Sequence, residues 1–248
     1  MKISIITVVF NRREDLKKTI GSIRTQTFRG IEYIVIDGGS TDGTLNVITE
    51  NQDIISKYVS EKDKGIYDAM NKGLRIAQGD YVWFLNAGDE IYNADTLENI
   101  FRANDTADAY YGDVMYVDRE GNELEKRKLK KPPEKFSYKS MIYGMVVIHQ
   151  SFIVKRALAA VYDTNYKYCS DIEWMISSLK KCGEVYNTHL ILSKFQIGGY
   201  SKNNIIPSNR ERFGILVKHF GLVRVLLAHV VLSFRFIKYF FTSKEKYY

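Results

Sequence analysis

Over its first 85 residues the chain alternates between two periods, and that alternation restricts it to very few architectures. Ile3-Ser-Ile-Ile-Thr-Val-Val-Phe10 is a β-branched, apolar run of buried-strand length. Asn11 follows and can cap a helix whose face is Leu16, Ile20, Ile23 and Thr27. Ile31 to Asp37 reads as a second strand, followed by a polar, Gly-rich turn and a short helix from Thr44; a third strand ends near Ser60. Ile66, Ala69, Met70, Gly73, Leu74 and Ala77 fall at i, i+3, i+4 and i+7, which predicts a helix over 65–77. Tyr81 to Leu85 is the next strand. Strands separated by helices must cross over, so the expected class is α/β, a mostly parallel sheet with helices on both faces.

After about residue 105 the rhythm breaks. Ala109 to Val117 and Glu123 to Lys130 read as strands around a hairpin-like turn, Asp118-Arg-Glu-Gly-Asn122, and Lys130-Lys-Pro-Pro133 reads as a loop. Val146 to Val154 is strand-like. Ile172, Met175, Ile176 and Leu179 mark a helical face, and Ser170-x-x-Glu173 just ahead of it has the spacing of a capping box. That box leaves Asp171 in the first helical turn, where the helix dipole favours a carboxylate. Gly198-Gly199 suggests a tight turn or close backbone approach.

Charge narrows the function classes. The net charge is +7, but the residues from Ser201 onward carry nine Lys/Arg against two acids, so the preceding 200 residues are neutral. A basic nucleic-acid-binding body is thereby disfavoured, and a cationic tail that seeks an anionic surface is favoured. Two cysteines, Cys169 and Cys182, make neither a disulfide framework nor a C-x-x-C motif and suit a reducing compartment. The apolar run at Ile3–Phe10 is eight residues long and passes straight into Asn11-Arg12-Arg13, so no signal peptide is expected. In the tail, the longest stretch free of Lys, Arg, Asp and Glu is Val225 to Phe234, ten residues, against the roughly 20 that a membrane span needs. Residues 207–241 are therefore expected to lie on a membrane, with Arg224, Arg235 and Lys238 within about 60° of one another on a helix. Tyr239, Phe240, Phe241, Tyr247 and Tyr248 suit an interface. Docking of this segment on the folded domain is the alternative.

Ligands of open parallel sheets sit at the carboxyl ends of the strands. Those ends carry Phe10-Asn11, Asp37-Gly-Gly-Ser-Thr-Asp42-Gly43 and Asn86-Ala-Gly-Asp89. Neither G-x-G-x-x-G nor G-x-x-x-x-G-K-[ST] is present, which removes the usual dinucleotide and P-loop cradles.

These residues carry a resemblance. Ile34-Val-Ile-Asp-Gly-Gly-Ser-Thr-Asp-Gly-Thr44 is similar to the nucleotide-binding turn of family 2 glycosyltransferases. Glu61-Lys-Asp-Lys-Gly-Ile-Tyr-Asp-Ala-Met-Asn-Lys-Gly73 and Phe84-Leu-Asn-Ala-Gly-Asp89 resemble the surface-polysaccharide, colanic-acid-type subgroup. His149-Gln150, Ser170-Asp-Ile-Glu173 and Phe195-Gln-Ile-Gly-Gly-Tyr-Ser201 follow in the expected order. The resemblance implies a GT-A fold organised as a nucleotide-sugar-binding half (1–105), an acceptor and catalytic-base half (106–206) and a basic amphipathic segment (207–248).

It also implies an inverting transfer of a sugar, UDP-linked by family default, to a hydroxyl of a lipid-carried glycan. The leaving diphosphate calls for a divalent cation, Mg2+ or Mn2+, and the acceptor hydroxyl for a base. Asp89 matches the metal ligand, alone where the family commonly has two or three acids; capping of its own turn is the structural alternative. Val8, Phe10, Asn11 and Asp37 match the base pocket, with an Asx-turn as the alternative for Asp37. Asp42 reads as a turn or cap. Asp63, Asn71 and Asn86 are further donor-side candidates, and Asp68, Asn71 and Arg75 share a polar helix face. His149 and Gln150 are expected to touch donor or acceptor. Asp171 matches the catalytic base. The expected partners are a nucleotide sugar, a lipid-linked glycan and an anionic membrane surface at the cytoplasmic face, without nucleic acid. Nucleotidyl transfer and a catalytically silent nucleotide-sugar or glycan-binding module are the alternatives.

Overall fold

Every residue of β1 (Ile3–Val9) is buried, on both faces of the sheet. It pairs in parallel with β2 (Ile31–Asp37) on one side and β4 (Tyr81–Phe84) on the other, and β3 (Ile55–Ser60) continues the parallel array beyond β2. The computed structural model describes residues 1–118, 120–124, 131–197 and 204–242, with side chains to Phe234 in the last helix. Between these strands lie α1 (Arg13–Arg24), α2 (Thr44–Glu50) and α3 (Ile66–Ile76). Then follow β5 (Glu90–Ile91), α4 (Thr96–Ala103), β6 (Ala109–Val117), β7 (Phe152–Lys155), α5 (Ser170–Leu179), β8 (Val185–Gln196), α6 (Ile205–Phe220) and α7 (Leu222–Thr242). Among the described residues the sheet has eight strands in the order β3-β2-β1-β4-β7-β6-β8-β5. It is parallel from β3 to β4 and mixed beyond, where β7 runs antiparallel to β4 and β6 while β8 is parallel to β6.

Strand alternation divides the core into two layers. Ile3, Ile5 and Val9 face Leu16, Ile20 and Ile23 of α1, together with α2 and α4. Ile6 and Val8 face α3 and the Ile172, Met175, Ile176 and Leu179 side of α5. Each such side chain taken from water contributes roughly 1.5–3 kcal/mol.

Several local expectations are corrected. Asn11 does not cap α1. It sits at φ 49° and its side-chain oxygen accepts the Thr41 N–H at 2.8 Å. Asp42 serves both helix starts instead, accepting from Arg13 N–H at 3.0 Å and from Thr44 N–H at 3.1 Å. Ile66, the first position of the predicted α3 face, is 43% exposed. Val146–Val154 is not one strand, because a 3-10 turn at His149–Ser151 precedes β7. The turn at 118–122 forms, with Asn122 N–H donating to Asp118 Oδ1 at 2.8 Å. Glu123 bridges Val117, and residues 125–130 lie outside the described residues, as do Gly198 and Gly199.

The Ser170/Glu173 capping box does not form either. The Ser170 hydroxyl donates to the Asp163 carbonyl at 2.8 Å. Glu173 turns to α6, where its carboxylate meets His219 Nε2 at 2.7 Å and Lys218 Nζ at 3.2 Å. Burial opposes the Glu173 charge, yet the His219 and Lys218 bonds outweigh it and hold the carboxyl down at about 2.

The apolar and basic C-terminal stretch is two helices separated at Gly221, φ 82°. Ile215, Leu216, Val225 and Ala228 are buried, and the first three join the α3/α5 core layer. The other side of α7 presents Val223, Leu227, Val230 and Phe234, between 52 and 71% exposed. One face is thus docked on the domain and the other is open. Arg224 is exposed; the Arg235, Lys238, Tyr239, Phe240 and Phe241 side chains and residues 243–248 lie outside the described ones.

Candidate active site

The strand order reverses at β1, and loops from both sides converge at its carboxyl end. Val9 pairs with Asp37, and Gly38 N–H donates to the Val9 carbonyl at 2.9 Å. On the other side Ala87 N–H donates to the Val8 carbonyl at 3.2 Å. These bonds bring 8–11, 37–42 and 86–89 to one crevice.

The β1–β2 side offers a ring and a rim. Phe10 is 60% exposed. Gly38 lies beneath it: a Cβ there would stand 3.3 Å from the Phe10 ring and 2.6 Å from Asp63 Oδ2, so only glycine lets Phe10 and Asp63 flank the loop this closely. Asp63 also accepts the Gly65 N–H at 3.0 Å. Asp37 is completely buried. Its carboxylate accepts from the Ser40 N–H at 3.2 Å, from the Ser40 hydroxyl, and from the Ser60 hydroxyl at 2.6 Å. Its geometry is therefore that of the Asx-turn alternative, shaping the loop from below. Val8 is buried core.

Asn71 is also framework in this geometry. Its amide donates to the Tyr162 carbonyl at 2.8 Å and accepts the Tyr162 N–H at 2.8 Å, tying α3 to the segment ahead of α5. Both ends of the amide are used, which the helical pattern of α3 could not reveal because the partner is 91 positions away.

The β4 side carries the acid. Asp89, 4% exposed, closes its turn by donating its N–H to the Asn86 carbonyl at 2.9 Å. Its carboxylate accepts from Gln150 Nε2 at 3.1 Å and from the Gln196 N–H at 3.3 Å. Burial pushes the Asp89 carboxyl up to about 6, opposed by the charge of His149 and by the Gln150 and Gln196 bonds. Thr19 and Gln196 hold the turn, and neither was singled out as a site residue from the sequence. The Thr19 hydroxyl donates to the Asp89 carbonyl at 2.8 Å. Gln196 also accepts from Arg12 Nη2 at 2.7 Å, while Arg12 Nε donates to Asp15 at 2.6 Å. The Phe195–Ser201 motif contained the signal for Gln196.

His149 and Asp171 complete the crevice. His149 Nδ1 lies 3.4 Å from Asp171 Oδ2, with the two side chains 9 and 18% exposed. Asp171 Oδ1 accepts the Ile172 N–H at 2.9 Å. Tyr67 of α3, Tyr162 and Trp174 of α5 form a continuous stack, with centroids 5.6 and 5.1 Å apart.

Four buried polar atoms here have no hydrogen-bond partner among the described residues: Asn86 Oδ1, Gln150 Oε1 and both ring nitrogens of His149. Buried polar groups are normally satisfied, so this concentration makes the crevice beside Asp89 the candidate ligand site. For a divalent cation the fit is partial. Asp89 and the two amide oxygens are suitable hard donors, but no three His, Cys, Asp or Glu residues converge as a metal group among the described residues. A cation held here would take its remaining ligands from a bound diphosphate.

A parallel α/β array continued by mixed strands in one eight-stranded sheet flanked by helices is the architecture of a GT-A fold. The chain belongs to glycosyl transferase family 2, whose profile matches residues 4–162. An uncharacterized glycosyltransferase of Mycobacterium tuberculosis is 28% identical over 244 residues, 94% of this chain and 90% of that protein. The PGL/p-HBAD biosynthesis glycosyltransferase of Mycobacterium bovis is 28% identical over 216 residues, 82% of this chain and 80% of the relative. Among solved structures, Staphylococcus aureus TarS 1–349 superposes with a TM-score of 0.71 at 18% identity, covering 99% of this chain and 76% of that one. Glucosyl-3-phosphoglycerate synthase from M. tuberculosis, in complex with Mn2+, UDP and glucosyl-3-phosphoglycerate, gives 0.62 at 17% identity, covering 89 and 80%. At these identities the structural likeness establishes the fold.

Proposed function

We propose that this glycosyltransferase moves a sugar, with inversion, from a UDP-linked donor to a hydroxyl of a lipid-carried glycan in cell-surface polysaccharide assembly. The observation that carries the reading is the crevice in which Asp89, His149 and Asp171 meet, ringed by unpartnered buried polar atoms. The donor's base lies against the exposed Phe10 ring beside Asn11, with Asp63 at the rim and Asp37 supporting the loop. The diphosphate lies toward Asn86 and Asp89. A divalent cation held by Asp89 would neutralise charge developing on that diphosphate. UDP and Mn2+ in glucosyl-3-phosphoglycerate synthase, and UDP-GlcNAc in TarS, support this donor and metal.

In the transfer the acceptor oxygen bonds to the anomeric carbon as the bond to the β-phosphate oxygen breaks, and the hydroxyl proton passes to the Asp171 carboxylate. Gln150 orients Asp89, while His149 offers its ring nitrogens to the bound sugar or diphosphate. The 1–105 and 106–206 halves divide donor and acceptor binding between them. The open face of α7, whose sequence contains no acidic residue, lies on an anionic membrane surface at the cytoplasmic side. No helix among the described residues is long and apolar enough to cross a membrane.

A panel of nucleotide sugars with Mg2+ or Mn2+, read by thermal shift and by release of nucleoside diphosphate, tests the reading. One UDP-sugar should stabilise the protein and release UDP when acceptor is present. Stabilisation by nucleotide without any turnover would leave a binding module instead.

A further inference from the structure

We propose that Glu211 is a positioning residue for Asp171: from α6 it clamps the start of α5 and thereby sets where the Asp171 carboxylate points. The inference rests on the reading of Asp171 as proton acceptor.

The first turn of a helix leaves N–H groups without intrahelical partners, and a local side chain usually takes them. In α5 Asp171 Oδ1 takes the neighbouring Ile172 N–H at 2.9 Å, but no capping box holds the segment that leads into the helix. The residue at the N-cap position, Cys169, makes no side-chain cap bond, Ser170 is turned to Asp163, and Glu173 is turned to His219. Glu211 arrives from more than forty positions downstream. Its carboxylate accepts the N–H groups of Lys167 at 2.9 Å, Tyr168 at 2.8 Å and Cys169 at 3.2 Å. Three bonds to one side chain hold this backbone from Lys167 to Cys169. Asp171 begins two residues later.

The clamp is itself anchored. Ile215 and Leu216 of α6 are fully buried, and two turns beyond Glu211 His219 bonds Glu173 on α5. The two helices are therefore pinned together on both sides of Asp171. Glu211 touches neither the crevice nor Asp89, so its influence on transfer passes through the backbone of 167–171.

The test is steady-state kinetics on the full chain with the donor found above, combined with a double-mutant cycle. Glu211→Gln keeps the shape but loses the charge and turns an amide N–H toward one of the three donors. It should lower kcat by about 10- to 100-fold, as a small misplacement of a reacting group does, with donor KM and Mn2+–UDP affinity unchanged. In an Asp171→Asn background the same change should have little further effect, because the group it positions can no longer take a proton. If Glu211→Gln does not fold at the assay temperature, Glu211→Asp, which withdraws the charge by one methylene, serves in the same cycle. Wild-type kcat in the folded variant, or an equal loss in both backgrounds, overturns the proposal. Near-wild-type transfer by Asp171→Asn alone would instead remove the base assignment beneath it.

Discussion

His149 Nδ1 stands 3.4 Å from Asp171 Oδ2, and the same imidazole acts electrostatically on Asp89, to which its neighbour Gln150 is hydrogen-bonded. Asp89, in the turn after β4, and Asp171, on α5, thus both adjoin one His-Gln pair on the 3-10 turn ahead of β7.

Asp171→Asn should preserve fold and nucleotide affinity while lowering kcat about 10²–10⁴-fold, the usual worth of a base. Asn is nearly isosteric and can still accept the Ile172 N–H, but it cannot hold the proton. Single-turnover transfer alongside UDP titration measures both quantities.

Removal of the cation should stop transfer. In EDTA, and again in Asp89→Ala with Mn2+ present, UDP release should fall about 10³-fold or more, since a ligand to the leaving-group charge supplies several kcal/mol. Turnover by metal-free protein at the full rate would exclude the cation from the reaction.

Donor affinity should depend on pH through Asp89. Its carboxyl is raised to about 6, so below pH 6 a cation must displace a proton, and Mn2+–UDP affinity should fall up to tenfold per pH unit. Above that value affinity should be level. His149→Ala removes a charge that draws the Asp89 carboxyl down, so the midpoint should move to higher pH. Calorimetric titration between pH 5 and 8 measures both; a midpoint that stays put or falls contradicts the pairing.

Glu173→Ala should destabilise the protein by about 3–5 kcal/mol, because it leaves His219 and Lys218 without the buried carboxylate they face. The Glu173 carboxyl lies lower in the folded protein, at about 2, than its ordinary value of 4.5. Its contribution is therefore complete above pH 4.5 and lost as pH falls through 2. Denaturant unfolding of both proteins at pH 7 and pH 3 should show the difference shrinking in acid.

The full chain should sediment with anionic vesicles and be released by salt. Truncation before α6 is a poor control, since Ile215, Leu216 and Val225 belong to the core. Val223→Glu with Leu227→Glu alters only the open face, where these side chains are 71 and 62% exposed. This variant should remain folded and lose vesicle binding. Equal sedimentation of the two proteins would remove the membrane from the reading.

The parallel half was legible residue by residue because its signals are local. The strand at 3–9, the α3 pattern and the Asp37 and Asn86–Asp89 turns each show their period or turn chemistry within a dozen residues, and the strand-end rule then places the crevice. The strand β8 was not legible. Its residues alternate weakly, and its parallel partner β6 ends some seventy positions earlier.

The sequence alone determined the α/β class and the family's motifs, among whose residues are Asp89 and Asp171. Tertiary structure decided which groups those acids and their neighbours bond. Ser170-x-x-Glu173 satisfies a capping box locally, yet Ser170 goes to the Asp163 carbonyl, Glu173 goes to His219, and Glu211 holds the 167–169 backbone ahead of the helix. Asn71, on a polar helix face by its spacing, is drawn inward by Tyr162. In each case a short-range bond was available to the chain. The distant partner prevails because packing α6 and the 162 segment against α5 and α3 excludes water, and polar groups buried that way must pair with whatever the fold brings beside them.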